Sequence, residues 1–338
     1  MSDLAVTPES RRARAAESLD DADRRILALL AHDGRRAVRA IAGEVGLSEA
    51  TVGARVRPMS ERRLLGVTAV LDWRAAGYAW DLWVEIEAPD GPRRELGARL
   101  RAVPGAHSVQ RTFGGPDWMV HALAEGPAEA SAFVDAVAAL DGVESVRGAV
   151  VTETVKYVAH FAPASARRGD LVVPAPRIAL DDTDRAVVEH LVADGRRSFR
   201  DIARAVDRSE ATVRARVHQM EDAGLLRIIG QSDPYLTGAV GAWAFVLVRS
   251  RAGRAAAAAR AVAALDDALL VQRMIGGHDV LAFVASRDRA RLIRSVGELR
   301  GDESIRSMRT HEVTATDGFD FRWVRLLDAP RTDRVDAR

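Results

Sequence analysis

Arginine recurs at matched places in this chain. Arg35 and Arg36 follow an Asp-Gly pair, and so do Arg196 and Arg197. Two further sets stand downstream: Ser48, Glu49, Thr51, Arg55 and Arg57, then Ser209, Glu210, Thr212, Arg214 and Arg216. These residue types suit a nucleic-acid duplex. A guanidinium reads guanine bidentately, a threonine can touch the thymine methyl, and any arginine can pair with phosphate. Between residues 35 and 57, five Arg oppose Glu44 and Glu49, a balance of +3. Between 196 and 216, seven Arg oppose Asp201, Asp207 and Glu210, a balance of +4. The whole chain carries only +1, so this charge is local, and a local patch is what a polyanion meets. The other use of such residues is a solvated, charged helix face.

Catalytic and metal chemistry find little here. The eight histidines are scattered, without His-x-x-x-His spacing, and there is no cysteine. Ser48 and Ser209 sit where a helix would be capped, not in a nucleophile elbow. Gly-rich phosphate loops are absent, so no enzyme, metal or cofactor is expected. Lack of cysteine fits a reducing compartment. The first 18 residues are polar and Arg-rich, and no apolar run approaches the ~18 residues of a membrane helix. A cytoplasmic location with no membrane partner is the expectation. Lys156 is the only lysine, a bias that a GC-rich genome explains.

What positions these residues is a duplication. Residues 19–78 and 180–239 align without a gap at an offset of 161, with 27 of 60 positions identical. Each copy reads as three short helices. In the first, Asp20 or Asp21 caps a helix with Ile26, Leu29 and Leu30 on one stripe, and Asp33-Gly34 ends it. Ile41, Ala42 and Val45 mark a second helix, Gly46 breaks the chain, and Ser48 caps a third carrying Val52, Val56 and Met59. Three short helices with a tight turn before the third make a helix-turn-helix. After each comes a βαββαβ pattern, at about 82–155 and 243–316, the order of a ferredoxin-like sheet with its helices on one face. Gly114-Gly115-Pro116-Asp117 and Gly276-Gly277-His278-Asp279 are equivalent turns within it. The six tryptophans are read as core or interface.

Taken together, the run Leu-Asp-x-x-Asp-Arg, Asp-Gly-Arg-Arg, Ile-Ala, Val-Gly-Leu-Ser, Thr-Val, Arg-Val, Met and Leu-Leu resembles the Lrp/AsnC family of transcription regulators. The likeness implies an α+β fold: two winged-type helix-turn-helix domains alternating with two ferredoxin-like βαββαβ sensing domains. The expected boundaries are a tail over 1–18, a helix-turn-helix over 19–66 and sensing domain 79–160. A proline-bearing linker over 162–179 leads to a helix-turn-helix over 180–227, sensing domain 240–318 and tail 319–338. Segments 67–78 and 228–239 receive no element. The likeness also implies partners: double-stranded DNA, a small effector such as an amino acid, and self-association through the βαββαβ domains. The effector would lie by Gly114, Asp117, Gly276, His278 and Asp279, where glycine lets a ligand approach backbone amides. Gly-x-x-Asp is equally a tight hairpin whose Asp accepts local amides.

Departures between the copies carry expectations too. Pro58 should end or kink the third helix near Arg57, because proline removes an amide and crowds a carbonyl. With Gly53 also inside that helix, copy two becomes the dominant reader. Asp207 must serve where Gly46 turns left-handed. Two alternatives stand beside the regulator reading: a sirohaem decarboxylase-like tetrapyrrole enzyme, which needs His and Arg around a propionate, and an effector-binding or assembly protein without DNA binding.

Overall fold

The computed structural model describes residues 19–62, 64–71, 78–88, 93–157, 180–223, 225–231 and 240–316. The expected tails and the linker over 162–179 lie outside these residues, as do Trp73 and Trp323. The first half runs α1 (Asp21–His32), α2 (Val38–Val45), α3 (Glu49–Glu61), β1 (Gly66–Leu71), β2 (Trp80–Glu87), α4 (Arg93–Ala102), β3 (Ala106–Phe113), β4 (Trp118–Ala124), α5 (Pro127–Ala138) and β5 (Ser145–Tyr157). The second runs α6 (Asp182–Ala193), α7 (Phe199–Ala205), α8 (Glu210–Asp222), β6 (Leu226–Gln231), β7 (Ala242–Ser250), α9 (Ala255–Ala263), β8 (Ala268–Ile275), β9 (Val280–Ser286), α10 (Arg289–Glu298) and β10 (Ile305–Thr316).

Capping decides where the reader helices start. Asp20 accepts the Asp23 amide while Asp23 reaches back to the Asp20 amide, and Asp181 with Asp184 repeats this reciprocal box. Ser48 and Ser209 each accept the amide three residues on, from Thr51 and Thr212. Gly46 turns left-handed at φ 77, and Asp207 does so at φ 52, as short polar side chains permit. Ile26, Leu30, Ile41, Val52 and Met59 form the core of the first reader.

Helix α3 does not end at Arg57. It continues through Pro58 to Glu61, as long as α8. Pro58 sits in the last turn, exposed, while Met59 is buried and its carbonyl accepts the amides of Leu64 and Leu65. Packing and those two bonds hold the turn against a proline cost of ~3 kcal/mol.

The unassigned segments hold a surprise. Strand β1 pairs antiparallel with β6, from Gly66 opposite Gln231 to Leu71 opposite Leu226. Each reader's wing is thus a single strand completed by the other reader. The remaining strands close into a barrel of order β10-β3-β4-β2-β5-β8-β9-β7. Each half supplies a four-stranded βαββαβ sheet. Seams between β5 and β8, and between β3 and β10, join them. The helices pack outside, Leu96 and Phe133 against Leu82 and Val84 of the sheet in one half, Val262 and Leu292 against Ala244 and Val246 in the other. Inward side chains meet between the sheets: Trp83, Met119, Trp243, Phe245 and Phe283. Strands β4 and β9 are buried along their whole lengths because both faces are covered. Trp83, Trp118 and Trp243 are core residues, as read from sequence.

Candidate functional site

The Asp-Gly-Arg-Arg turns join the two readers. Arg35 donates through Nε to the Gly195 carbonyl at 2.7 Å and through a terminal nitrogen to the Arg197 carbonyl at 2.6 Å. Arg196 answers from the other side, to the Gly34 carbonyl at 2.8 Å and the Arg36 carbonyl at 3.4 Å. Backbone amides follow the same exchange: Gly34 donates to Ile228 and Gly195 to Val67, both at 2.8 Å. Glycine is required there by close approach. A Cβ on Gly34 would stand 2.7 Å from the Ile229 carbonyl carbon, and one on Gly195 2.9 Å from the Thr68 nitrogen. Burial among these groups draws the Arg35 pKa down from its usual value. Arg36 pairs with Glu44, and Arg197 meets His190 at 2.8 Å. Arg35 and Arg196 therefore pair the readers through their side chains, while Arg36 and Arg197 lend the pairing only their carbonyls.

Arg55 and Arg216 are also engaged internally. Arg55 reaches Asp20 at 2.6 Å and Asp23 at 2.9 Å; Arg216 reaches Asp181 at 2.6 Å and Asp184 at 2.8 Å. Each ties the third helix of its reader to the capping box of the first. Hydrogen bonds accepted from the Asp23 and Asp184 amides, then from arginine, hold Asp20 and Asp181 below the usual carboxylate value. Ser48 and Ser209 are caps whose hydroxyls also meet Thr51 and Thr212.

What the third helices leave outward is unequal. Copy one presents Glu49, Gly53 and Arg57, the last 3.8 Å from Glu61. Copy two presents Glu210, Arg214 and His218. Arg214 meets Glu210 at 2.6 Å, and its guanidinium carbon lies 5.4 Å from the Phe199 ring centre. Arg35 stacks over the same ring at 4.2 Å.

The two Gly-x-x-Asp turns lie at the barrel seams. Asp117 accepts the Ala88 amide at 2.8 Å, and Asp279 accepts the Ser250 amide at 2.7 Å and its hydroxyl at 3.0 Å. Both carboxylates thus brace the end of the neighbouring strand, the hairpin use rather than an offered ligand group. Each turn presses on the opposite half. A Cβ on Gly276 would lie 2.7 Å from the Ala149 Cβ, and Gly115 leaves room only for the His311 ring. His311 Nδ1 is 3.1 Å from the Gly114 carbonyl. His278 Nδ1 is 3.3 Å from Glu85, a carboxylate that also sees Arg147 at 3.6 Å. Burial works against the Glu85 charge, yet His278 and Arg147 keep its pKa below the ordinary value; burial lowers that of His311.

The amino-acid sequence matches the AsnC-type helix-turn-helix domain over residues 19–59 and 180–221, and the Lrp/AsnC ligand binding domain over 82–159. The HTH-type transcriptional regulator AldR of Mycolicibacterium smegmatis is 31% identical over 163 residues, covering 47% of this chain and 92% of its own length. The chain belongs to the Lrp/AsnC family. Its halves are tandem copies. The HTH-type transcriptional regulator FL11 of Pyrococcus horikoshii is 29% identical over 139 residues, 41% of this chain and 92% of that protein. A solved structure of the siroheme decarboxylase NirDL shares the fold over 91% of this chain and 98% of its own, with TM-score 0.62 and 13% identity. Among the described residues no group of His, Cys, Asp and Glu could hold a metal ion, and no helix is long and apolar enough to cross a membrane.

Within this Lrp/AsnC chain, Glu85, Arg147 and His311 were not read from sequence. Their signal was present: Asp81, Glu85 and Glu87 alternate polar residues along a strand that is otherwise apolar. Asp81 joins a second buried group, 2.6 Å from His121 and 2.9 Å from Gln272, which accepts from the Trp83 indole at 2.7 Å. The clamp had a signal as well. Asp-Gly-Arg-Arg is unchanged between the copies, and its glycine and first arginine are the residues with which each copy grips the other.

Proposed function

We propose that this chain is a sequence-specific regulator that binds double-stranded DNA and is modulated by a small effector such as an amino acid. The reciprocal clamp of Arg35 and Arg196 supports it most. That clamp, with the β1–β6 ladder, holds two helix-turn-helix units together, and α3 and α8 are proposed to enter major grooves about 10–10.5 bp apart or multiples of that. Glu49, Thr51 and Arg57 in one reader, and Glu210, Thr212 and Arg214 in the other, are the side chains proposed to meet DNA. Titration of the full chain with duplex from upstream of its own gene, at rising salt, tests this. Affinity should fall because counterions released into saltier solution gain less entropy, with a log–log slope of about −0.9 per phosphate contact. Binding that ignores salt sinks the reading.

The effector is placed at the turns carrying Gly114, Asp117, Gly276, His278 and Asp279. There Asp117 and Asp279 act as braces, and Glu85, now held by His278 and Arg147, is the carboxylate proposed to take an ammonium group. A thermal-shift panel of amino acids should single out one class, with the shift lost in Glu85→Gln; a flat panel removes the amino-acid assignment. Self-association through the βαββαβ units follows from the family and is checked by sedimentation.

Whole-chain likeness to a siroheme decarboxylase favours a second reading, a tetrapyrrole enzyme. The residues do not fit it well: His278 and His311 are 9% and 2% exposed, one against Glu85 and the other against the Gly114 carbonyl. A haem-type absorbance band in protein titrated with an iron tetrapyrrole would restore that reading.

A further inference from the structure

We infer that the DNA site of this chain is not a palindrome, and that Arg214 reads a guanine at one half-site for which the other half-site has no counterpart. This rests on the regulator reading above. Arg214 is the fifth residue of α8, and Gly53 is the fifth residue of α3. The N-terminal part of a recognition helix is what reaches base edges. Arg214 is held ready for that task. Glu210 takes one terminal nitrogen at 2.6 Å, the guanidinium lies beside the Phe199 ring, and the side chain is still 54% exposed. A planar fork fixed at one edge keeps the geometry that guanine O6 and N7 require.

Copy one keeps the glutamate of this device but lacks its arginine and its ring. Gly53 offers no side chain, Val38 stands where Phe199 is, and Glu49 has no arginine one turn on. With no fork at Gly53 to bind it, Glu49 can accept from a cytosine amino group. The outer turns differ too, with Arg57 paired to Glu61 in one reader and His218 3.4 Å from Glu221 in the other. Arg55 and Arg216, by contrast, make the same two ion pairs and cannot separate the half-sites. Two identical subunits would have to present one recognition face twice. The clamp keeps the readers paired while a single chain lets their faces diverge.

Selection from randomised duplexes with the full chain tests this. The wild type should enrich a site whose half-sites differ, with a G·C pair at one position in one half only. Changing that pair should weaken binding roughly 5- to 150-fold, the range of a bidentate contact. Arg214→Gly should lose that preference, and Arg214→Lys should keep salt-dependent affinity while losing it as well. A Cβ at Gly53 meets nothing within 4 Å, so Gly53→Arg folds freely. It should add the G·C preference to the second half-site and move the selected site toward a palindrome. A palindrome from the wild type, or an unchanged profile from Arg214→Gly, overturns the inference alone. Absence of salt-dependent binding to any duplex overturns the regulator reading and this inference with it.

Discussion

Helices α3 and α8 begin alike, on Ser48 and Ser209, and part company at Gly53 and Arg214. The cores beneath them differ as well. The first reader's core holds only its own residues, from Leu19 to Leu65. The second reader's core takes in Ala69, Tyr78 and Leu123 from the first half. Reader two is therefore seated on a strand of the opposite sheet, while reader one is held through the clamp and the β1–β6 ladder. What the copies keep in common is what each needs to fold, its capping box and apolar stripe, and what each needs from the other, the Asp-Gly-Arg turn. Among the positions where they differ are the exposed Gly53 and Arg214 on the third helices and Pro116 and His278 at the seams.

The largest effect that can break this comparison lies at the shared turns. Gly34→Ala should lower stability by about 2–3 kcal/mol, because its Cβ meets the Ile229 backbone of the other reader as well as the Val67 side chain, and backbone does not yield. Denaturant unfolding measures it, and a wild-type midpoint would mean the readers do not pair this way. Arg35→Ala comes next, at about 2 kcal/mol, since two charged donors leave buried carbonyls. Arg196→Ala should cost about half as much, its second bond being long at 3.4 Å and no ring among the described residues lying beneath it. Equal losses would erase that part of the asymmetry.

The sheets offer a pH test. His107 stands where the second half has Leu269. Burial, then the neighbouring His121, lower its pKa from 6.5 to about 3. Its folded pKa is depressed, so its neutral form is favoured by folding; stability is full above pH 6.5 and is lost as pH falls toward 3. His107→Leu should therefore gain up to about 2 kcal/mol at pH 5 relative to its effect at pH 8, read from melts at the two pH values. A pH-independent difference would show that His107 is not held neutral.

The smallest effect should be the most symmetric. Arg55→Ala and Arg216→Ala remove exposed ion pairs of the same geometry, so both losses should be small and equal. Asp20 and Asp181 have depressed pKa values, so the stabilisation is present above about pH 3.8 and fades as pH falls below it. Unequal losses at neutral pH would show that one reader depends on its strut more than the other.

Sequence served the readers well because their signals are local. Caps at Asp20, Ser48 and Ser209, the stripe through Ile41, Val52 and Met59, and the left-handed Asp207 follow from propensity and periodicity within a few residues. The βαββαβ order was legible for the same reason. Pro58 misled because its local cost is outweighed by Met59, whose burial depends on residues folded over it. Strands β1 and β6 were missed because neither is a strand without the other.

Amino-acid order alone determined the duplication, the elements of each copy and the positions where the copies diverge. Tertiary structure decided what the charged residues do. Arg35, Arg55, Arg196 and Arg216 look like DNA contacts along the sequence, yet their partners lie 32 to 162 residues away, so only the fold reveals them as clamps and struts. Asp117 and Asp279 likewise became braces once strand ends from elsewhere arrived beside them. A charge announces itself in sequence; its partner is chosen by how the chain closes on itself.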